Sequence, residues 1–138
     1  MIFLTPTDFD PQARPEILAI MQSSPTALDT IELEAMEEIT QYIAARYDAP
    51  AIFAAIAPNR SALIVMYCVD IILYHISAAT TPRQVPQVRK DRYDNAIDAL
   101  KYIARGLSNP PLPLLTDAQN NVVSPGRFGS VEKDQNRY

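Results

Sequence analysis

The sequence predicts an all-α fold: a small antiparallel bundle of three long helices, with a short helix before them and an extended arm after them. Apolar residues recur at three- and four-residue steps in three separate segments, which is the spacing of one helix face. Proline and glycine stand at the ends of those segments, and strand-like alternation is weak. A chain of 138 residues with 48% apolar content suits one folded domain.

Two short helical elements are predicted near the start of the chain. Thr5 to Asp8 can form a single turn, and Pro15 to Gln22 is predicted as the short helix that precedes the long ones. Both lie ahead of the first strongly periodic segment.

The first long helix is predicted from Thr26 to Tyr47. Thr26 and Asp29 stand three residues apart at its start and resemble a capping box with Asp in place of Glu. Pro50 lies just past its end, where a helix does not continue comfortably. The apolar stripe of this helix consists of Leu28, Ile31, Ala35, Ile39, Tyr42, Ile43 and Tyr47.

The second long helix is predicted to begin after Asn59, as its N-cap, and to run to about Ser77. It is apolar on nearly every face, which is typical of the most buried helix of a domain. Its longest apolar stretch is interrupted by Asp70 and His75 and is shorter than the roughly 20 apolar residues of a membrane span. We therefore expect a core helix and no membrane partner.

The third long helix is predicted from Pro86 to Gly106, because proline suits a first turn and glycine suits the position just past a helix end. Connections of about 10 residues separate the long helices and contain most of the intervening prolines. The apolar positions of the third helix are Tyr93, Ala96, Ile97, Leu100, Ile103 and Ala104.

The character of the chain changes after Gly106, which divides it into a helical domain, 1–106, and an arm, 107–138. Asn109 to Pro113 is a stiff, extended stretch, and a short hairpin is predicted around Asn120 and Asn121. About 30 residues of this composition cannot build a core of their own. We therefore expect the arm to become ordered mainly when it docks on a partner.

The net charge of −4 hides an acidic helix and a basic one. Residues 27–48 carry six carboxylates against one arginine, and residues 82–106 carry six basic side chains against three acidic ones. Two solvated faces are one interpretation. The other is that the acidic surface of one subunit meets the basic surface of the next, in a contact that can close into a ring. The candidate interface residues are Glu34, Glu37, Glu38, Arg89, Lys90, Arg127, Phe128 and Tyr138.

Site chemistry is poorly supplied, so no enzyme, no cofactor and no metal site is predicted. His75 is the only histidine and Cys68 the only cysteine, and their spacing on one helix does not bring them together. The clustered glutamates, those of residues 32–38, lie on a single helix, whereas carboxylate metal sites in bundles draw on several. With three glycines, the chain also lacks a phosphate-binding loop.

Asp70 is the most informative single residue, because a buried carboxylate is costly unless it is paired. The candidate partners are Arg46 and Arg92 on the neighbouring predicted helices, or the hydroxyl of Tyr67 or Tyr74 on its own helix face. We expect a structural polar contact. A small enzyme that uses Asp70 as its catalytic carboxylate is the weaker alternative.

A second function class remains open, a cytosolic helical regulator that binds DNA or a protein. The third predicted helix carries Arg89, Lys90 and Arg92, as a recognition helix would. However, the connections are longer and richer in proline than the short turn of a helix-turn-helix motif, and neighbouring aspartates dilute the basic face.

Four segments of the chain form a recognisable pattern: the Thr-x-x-Asp-Phe motif of residues 5–9, then 42–47, 69–74 and 92–106. Together they resemble a protein family of Mu-like phages and prophages whose gene follows that of the major capsid protein and which is related to head–tail connector (adaptor) proteins. The resemblance covers about residues 3–106 and is strongest at Arg46-Tyr47 and over residues 92–106. The tail is similar only through Arg127-Phe128.

The resemblance implies a helical adaptor that acts by assembly. Such a subunit would form a ring of its own copies, expected to be twelve-fold, and bridge the portal protein to a tail or stopper protein. It would be made in the cytoplasm of the bacterial host and reside in the virion, with DNA at most passing through the lumen. The arm from Pro110 onward would lie along a neighbour. No catalysis and no cofactor is implied.

Overall fold

The structure, a computed structural model, describes residues 1–123 and has the all-α fold that the sequence predicts. Five helices form a small bundle, and in the described residues β-pairing is limited to isolated bridges. The predicted N-terminal turn and short helix are both present. The elements are a 3₁₀ turn Pro6–Asp8, α1 Arg14–Ser23, α2 Pro25–Ile43, α3 Ala49–Ala54, α4 Ala62–Thr80 and α5 Gln87–Ala104.

The first long helix, α2, differs from its prediction at both ends. Ser24 occupies the N-cap position, and the predicted Thr26–Asp29 capping box is wrong, because the Asp29 carboxylate accepts a hydrogen bond from the α-ammonium of Met1 instead. The helix ends at Ile43. Tyr47 lies beyond it and forms an antiparallel bridge to Leu114.

The short helix α3 was not predicted. Pro50 follows the end of α2, as expected, but it also lies in the first turn of this new helix, where its missing N–H costs nothing. Asp48 caps α3 by accepting a hydrogen bond from the Ala51 N–H at 3.0 Å. Six residues are too few to show helical periodicity in a sequence, so only the cap and the proline indicate this helix.

The central helix α4 begins two residues later than predicted. Its N-cap is Ser61, whose Oγ accepts from the Ile64 N–H, whereas the N–H of Asn59 bonds to the Ile56 carbonyl in the preceding turn. By length and composition alone α4 could also cross a membrane, but 56% of it is buried inside the fold, as in a core helix. It packs against α2 and α5, and the 3₁₀ turn also contacts it.

The last helix, α5, ends as predicted at Gly106, in a Schellman motif. Gly106 has φ +75°, a conformation that glycine adopts without the steric cost of a side chain. Its N–H bonds to the Ile103 carbonyl, and the Leu107 N–H bonds to the Tyr102 carbonyl. The Schellman motif therefore ends α5 and turns the chain away from the helix axis.

The first part of the predicted arm packs on the chain's own helical domain. Leu112 is buried, and the Asp48 N–H bonds to the Pro113 carbonyl at 2.9 Å. The predicted hairpin is present, with a bridge between Thr116 and Val122 and a positive φ at Asn120. The division at Gly106 stays a prediction, and residues 124–138, with Arg127, Phe128 and Tyr138, lie outside the described residues.

Candidate interaction groove

The N-terminal segment is held to the bundle by a buried glutamate that the sequence did not single out. The Glu32 carboxylate accepts hydrogen bonds from three consecutive backbone N–H groups, those of residues 2, 3 and 4, at 2.5, 2.8 and 2.6 Å. Glu32 itself is fully buried on α2. In the sequence it is one of six carboxylates in the acidic segment, and only the folded N-terminus gives it this role.

A groove runs along α4 between the N-terminal segment and α5, and it is formed by two adjoining cavities of about 400 and 150 Å³. Asp10 and Arg92 line both cavities, so the two cavities adjoin at these residues. Val65, Met66 and Val69 of α4 form an apolar floor in the larger cavity. We call the whole feature the α4 groove, and its smaller cavity the Asp10 notch.

On the N-terminal wall, Asp8 forms a forked ion pair with Arg60. The two guanidinium nitrogens donate to its two oxygens at 2.7 and 2.9 Å, and the N–H and hydroxyl of Thr5 also donate to Asp8. Burial on its own would raise the pKa of Asp8, but these hydrogen bonds and the charge of Arg60 hold that pKa below its usual value. The same contact raises the pKa of Arg60.

On the opposite wall, Asp70 faces Arg92 in a much weaker arrangement. Nε of Arg92 lies 2.8 Å from Oδ1 of Asp70, but without the alignment of a hydrogen bond, so the contact is an ion pair only. Asp70 is 7% exposed. Burial raises its pKa, and the charge of Arg92 offsets this only in part. Neither tyrosine proposed as a partner bonds to it, and Tyr74 stacks on Tyr93 instead.

Arg46, the other candidate partner of Asp70, lies elsewhere. Because α2 ends at Ile43, Arg46 falls in the following turn, where it donates to the Ile103 carbonyl at 3.2 Å and to Oδ1 of Asn109 at 2.5 Å. It therefore ties the end of α2 to the end of α5 and to the start of the arm. The sequence predicted that Arg46 would lie on the first long helix. Because that helix ends earlier, Arg46 bonds to residues that the sequence did not indicate as its partners.

A second polar cluster joins α2, α4 and α5 around Glu38. Its two oxygens contact the Tyr93 hydroxyl at 2.5 Å and Nε2 of His75 at 3.0 Å. Burial, followed by the hydrogen bond to Glu38, raises the pKa of Tyr93. The prediction that Glu38 belongs to an exposed acidic face is wrong for this reason, while Glu34 and Glu37 are exposed.

Several charged side chains of the acidic helix α2 and the basic helix α5 thus pair within the fold. On α2, Glu32 and Glu38 are engaged as described above. On α5, Arg89 donates to the Ser77 hydroxyl at 2.6 Å and to Glu16 at 3.2 Å, whereas Lys90 is exposed. The two helices therefore present fewer unpaired charges to a partner than their compositions indicate.

The reactive side chains of the described residues are poorly placed for catalysis. Cys68 is fully buried, and burial, together with the nearby carboxylates of Glu32 and Asp8, raises the pKa of its thiol to about 12. Within residues 1–123, no group of histidine, cysteine and acidic side chains is arranged to hold a metal ion.

Comparison with known proteins gives one finding. Residues 10–125 match the sequence profile of the family described as Bacteriophage Mu, Gp36. The chain belongs to the bacteriophage Mu Gp36 family. The match spans α1 to α5 and the described part of the arm. No curated protein and no solved structure was found to match this Gp36-family chain.

Proposed function

We propose that this Gp36-family protein is a structural subunit of a phage head–tail connector, which acts by assembling into a ring between the portal and a tail or stopper protein. The family match makes it a Mu-like phage protein. Its place in the virion, its ring and its two partners are parts of the proposal. It needs no cofactor and performs no catalysis in this role.

The observation that carries the proposal is the contrast between inert polar groups inside and apolar side chains outside. Cys68 is buried, and the Glu38 carboxylate contacts both His75 and the Tyr93 hydroxyl. No nucleophile–base pair is therefore free in the described residues. Large apolar side chains also stand on the surface, and those that lie together can serve as contacts with other proteins. The most exposed are Ile2, Ile56, Val88, Tyr102, Leu107 and Val122.

The DNA-binding regulator is less well supported by the same geometry. Arg89 is bonded to Glu16 and Ser77, and Arg92 faces Asp70, so two of the three basic residues of the candidate recognition helix are occupied. Phosphate binding requires basic groups that are free to face the duplex. Salt-sensitive binding of duplex DNA by the purified chain would nevertheless favour that function.

The decisive experiment is co-expression with the portal protein of the same phage, followed by measurement of particle mass and electron microscopy. We expect the chain to enter a closed ring on the portal and to be detected in purified virions by mass spectrometry. A chain that never joins the portal and is absent from virions would overturn the proposal. A monomer in isolation would not, because ring subunits can assemble only on their partner.

A further inference from the structure

The end of α5 carries an exposed patch that suits a protein contact. Tyr102 and Leu107 are 53% and 68% exposed, and the Leu107 N–H bonds to the Tyr102 carbonyl, so the two residues are neighbours at the end of the helix. Arg105 lies between them in the chain, is exposed, and pairs with no carboxylate among residues 1–123. We call these three residues the α5-end patch. It combines an apolar surface with an unbalanced positive charge.

The Asp10 notch has the complementary properties. Asp10 accepts hydrogen bonds from the N–H groups of Gln12 and Ala13, but no basic side chain of the described residues pairs with it. Asp70, which also lines the notch, has an Oδ1 that receives no hydrogen bond within residues 1–123. Val88 stands at the notch and is 63% exposed. Arg89 and Arg92 also line the notch, but Arg89 pairs with Glu16 and Arg92 pairs with Asp70. Asp10 is therefore the notch carboxylate without a basic partner among residues 1–123, and it lies beside an exposed apolar side chain.

We propose that the α5-end patch of one copy docks in the Asp10 notch of the next, with Arg105 entering the notch and Leu107 packing on Val88. A cavity of about 150 Å³ admits one long side chain rather than a helix. The inference rests on the proposed ring function and identifies the surfaces through which the ring subunits meet.

The distance between the two surfaces requires this contact to join two copies. Val88 on α5 and Arg105 at its C-cap are 17 residues apart, which is about 25 Å along the helix and about 100° around it, so the patch and the notch cannot meet within one chain. A two-fold pair would use both surfaces of both copies and stop at a dimer, whereas the head-to-tail contact that we propose leaves one patch and one notch open for further copies. Each copy can instead contact the next, and such a contact closes into a ring when the rotation allows.

The most direct test is disulfide cross-linking of the full chain that carries both Val88→Cys and Leu107→Cys. The two positions are too far apart for a bond within one chain, since a disulfide requires Cα atoms within about 7 Å. Mild oxidation at high concentration, with and without the portal, should give a ladder of multimers. A mixture of the two single variants should give dimers that contain one copy of each. Buried Cys68 serves as the internal background.

Charge variants test the same contact independently. Adding Arg105→Glu to the cysteine pair should lower the yield of multimers about fivefold or more, because it sets two negative charges against each other. Asp10→Asn should lower it less, since asparagine keeps the hydrogen bonds to Gln12 and Ala13. Arg83→Glu makes the same charge change at an exposed position in the connection before α5, outside both surfaces, and should leave the yield unchanged. Thermal melts of all variants report whether they fold.

The outcomes separate this inference from the proposed function. If the chain enters a ring on the portal but the Val88–Leu107 cross-link does not form, or Arg105→Glu has no effect, the inference is overturned and the connector role stands. If the cross-link forms and the chain never joins the portal, the contact stands and the connector role is overturned.

Discussion

The two walls of the α4 groove each set an arginine against a carboxylate, yet they hold that carboxylate in different ways. On the N-terminal wall, Asp8 receives a forked pair of hydrogen bonds from Arg60 and further ones from Thr5, so its pKa falls. On the α5 wall, Asp70 receives a single unaligned contact from half-exposed Arg92, and burial raises its pKa.

Proximity of an opposite charge therefore does not by itself offset the free-energy cost of burying a carboxylate. A carboxylate is satisfied when several donors are aligned on both oxygens, and the net contribution of an ion pair otherwise stays near zero. The N-terminal wall is therefore the fixed side of the groove. The α5 wall is held less firmly, because half-exposed Arg92 reaches Asp70 through a single contact.

The largest effect is expected from removing the buried carboxylate behind the N-terminal wall. Glu32→Ala should lower the free energy of unfolding by about 3–5 kcal/mol, because three backbone N–H groups lose their acceptor. Urea unfolding measures this. Glu34→Ala, at an exposed position on the same helix, should change it by less than about 0.5 kcal/mol. Equal losses for both variants would show that the N-terminal wall is not anchored by Glu32.

A smaller loss is expected from breaking the forked pair. Arg60→Gln should destabilise the fold by about 1–3 kcal/mol, since Asp8 loses its charged donors and the Phe3 carbonyl loses one at 2.9 Å. The same measurement on Arg92→Gln supplies the matched comparison and should show less than half of that loss. If the two variants lose the same stability, the contrast between the walls is not real.

The pH dependence of stability should carry the signature of Asp8. Because its pKa is lowered in the folded state, its contribution is complete well above the unfolded value of about 4 and is lost as the pH falls through the folded value. Asp8→Asn should flatten the decline in stability below about pH 4, as followed by thermal melts across an acid series. An acid limb of unchanged slope in this variant would contradict the assignment.

The smallest effect is expected at Asp70. Because its folded pKa is raised, the ionised carboxylate costs stability near neutral pH, and the wild-type chain recovers this as the pH falls through that raised value towards about 4. Asp70→Asn should therefore change stability by less than about 1 kcal/mol at pH 7, with a neutral or stabilising sign. A loss above about 2 kcal/mol would show that the ion pair with Arg92 is net stabilising.

The sequence predicted the long helices well and their ends less well. Periodicity located α2, α4 and α5 because each has enough turns for an apolar face to repeat, and Gly106 marked the end of α5 correctly. The caps at Ser24 and Ser61 were missed, since several nearby side chains could have served and only packing chose among them. The six residues of α3 are too short to produce a pattern.

The candidate site was only partly accessible from the sequence. Asp70 stood out because it interrupts an apolar run, and Arg92 was one of its named candidates. Glu32 and Asp8 gave no such signal, because one lies among other glutamates and the other in a polar segment near the start of the chain. Nothing in the local pattern indicates that residues 2–4 would return to cover a glutamate on α2.

By itself, the sequence determined the helical class, the burial of α4 and the end of α5. These depend on the repeat of apolar residues along a helix and on the backbone freedom of one glycine, both of which are local properties. The tertiary structure was needed to show which charged side chains pair within the fold and which remain available to a partner. That choice depends on contacts between segments about 30 to 60 residues apart in the chain, such as Leu4 with Glu32, Asp8 with Arg60 and Glu38 with Tyr93. Their distances and alignment exist only once the helices have packed.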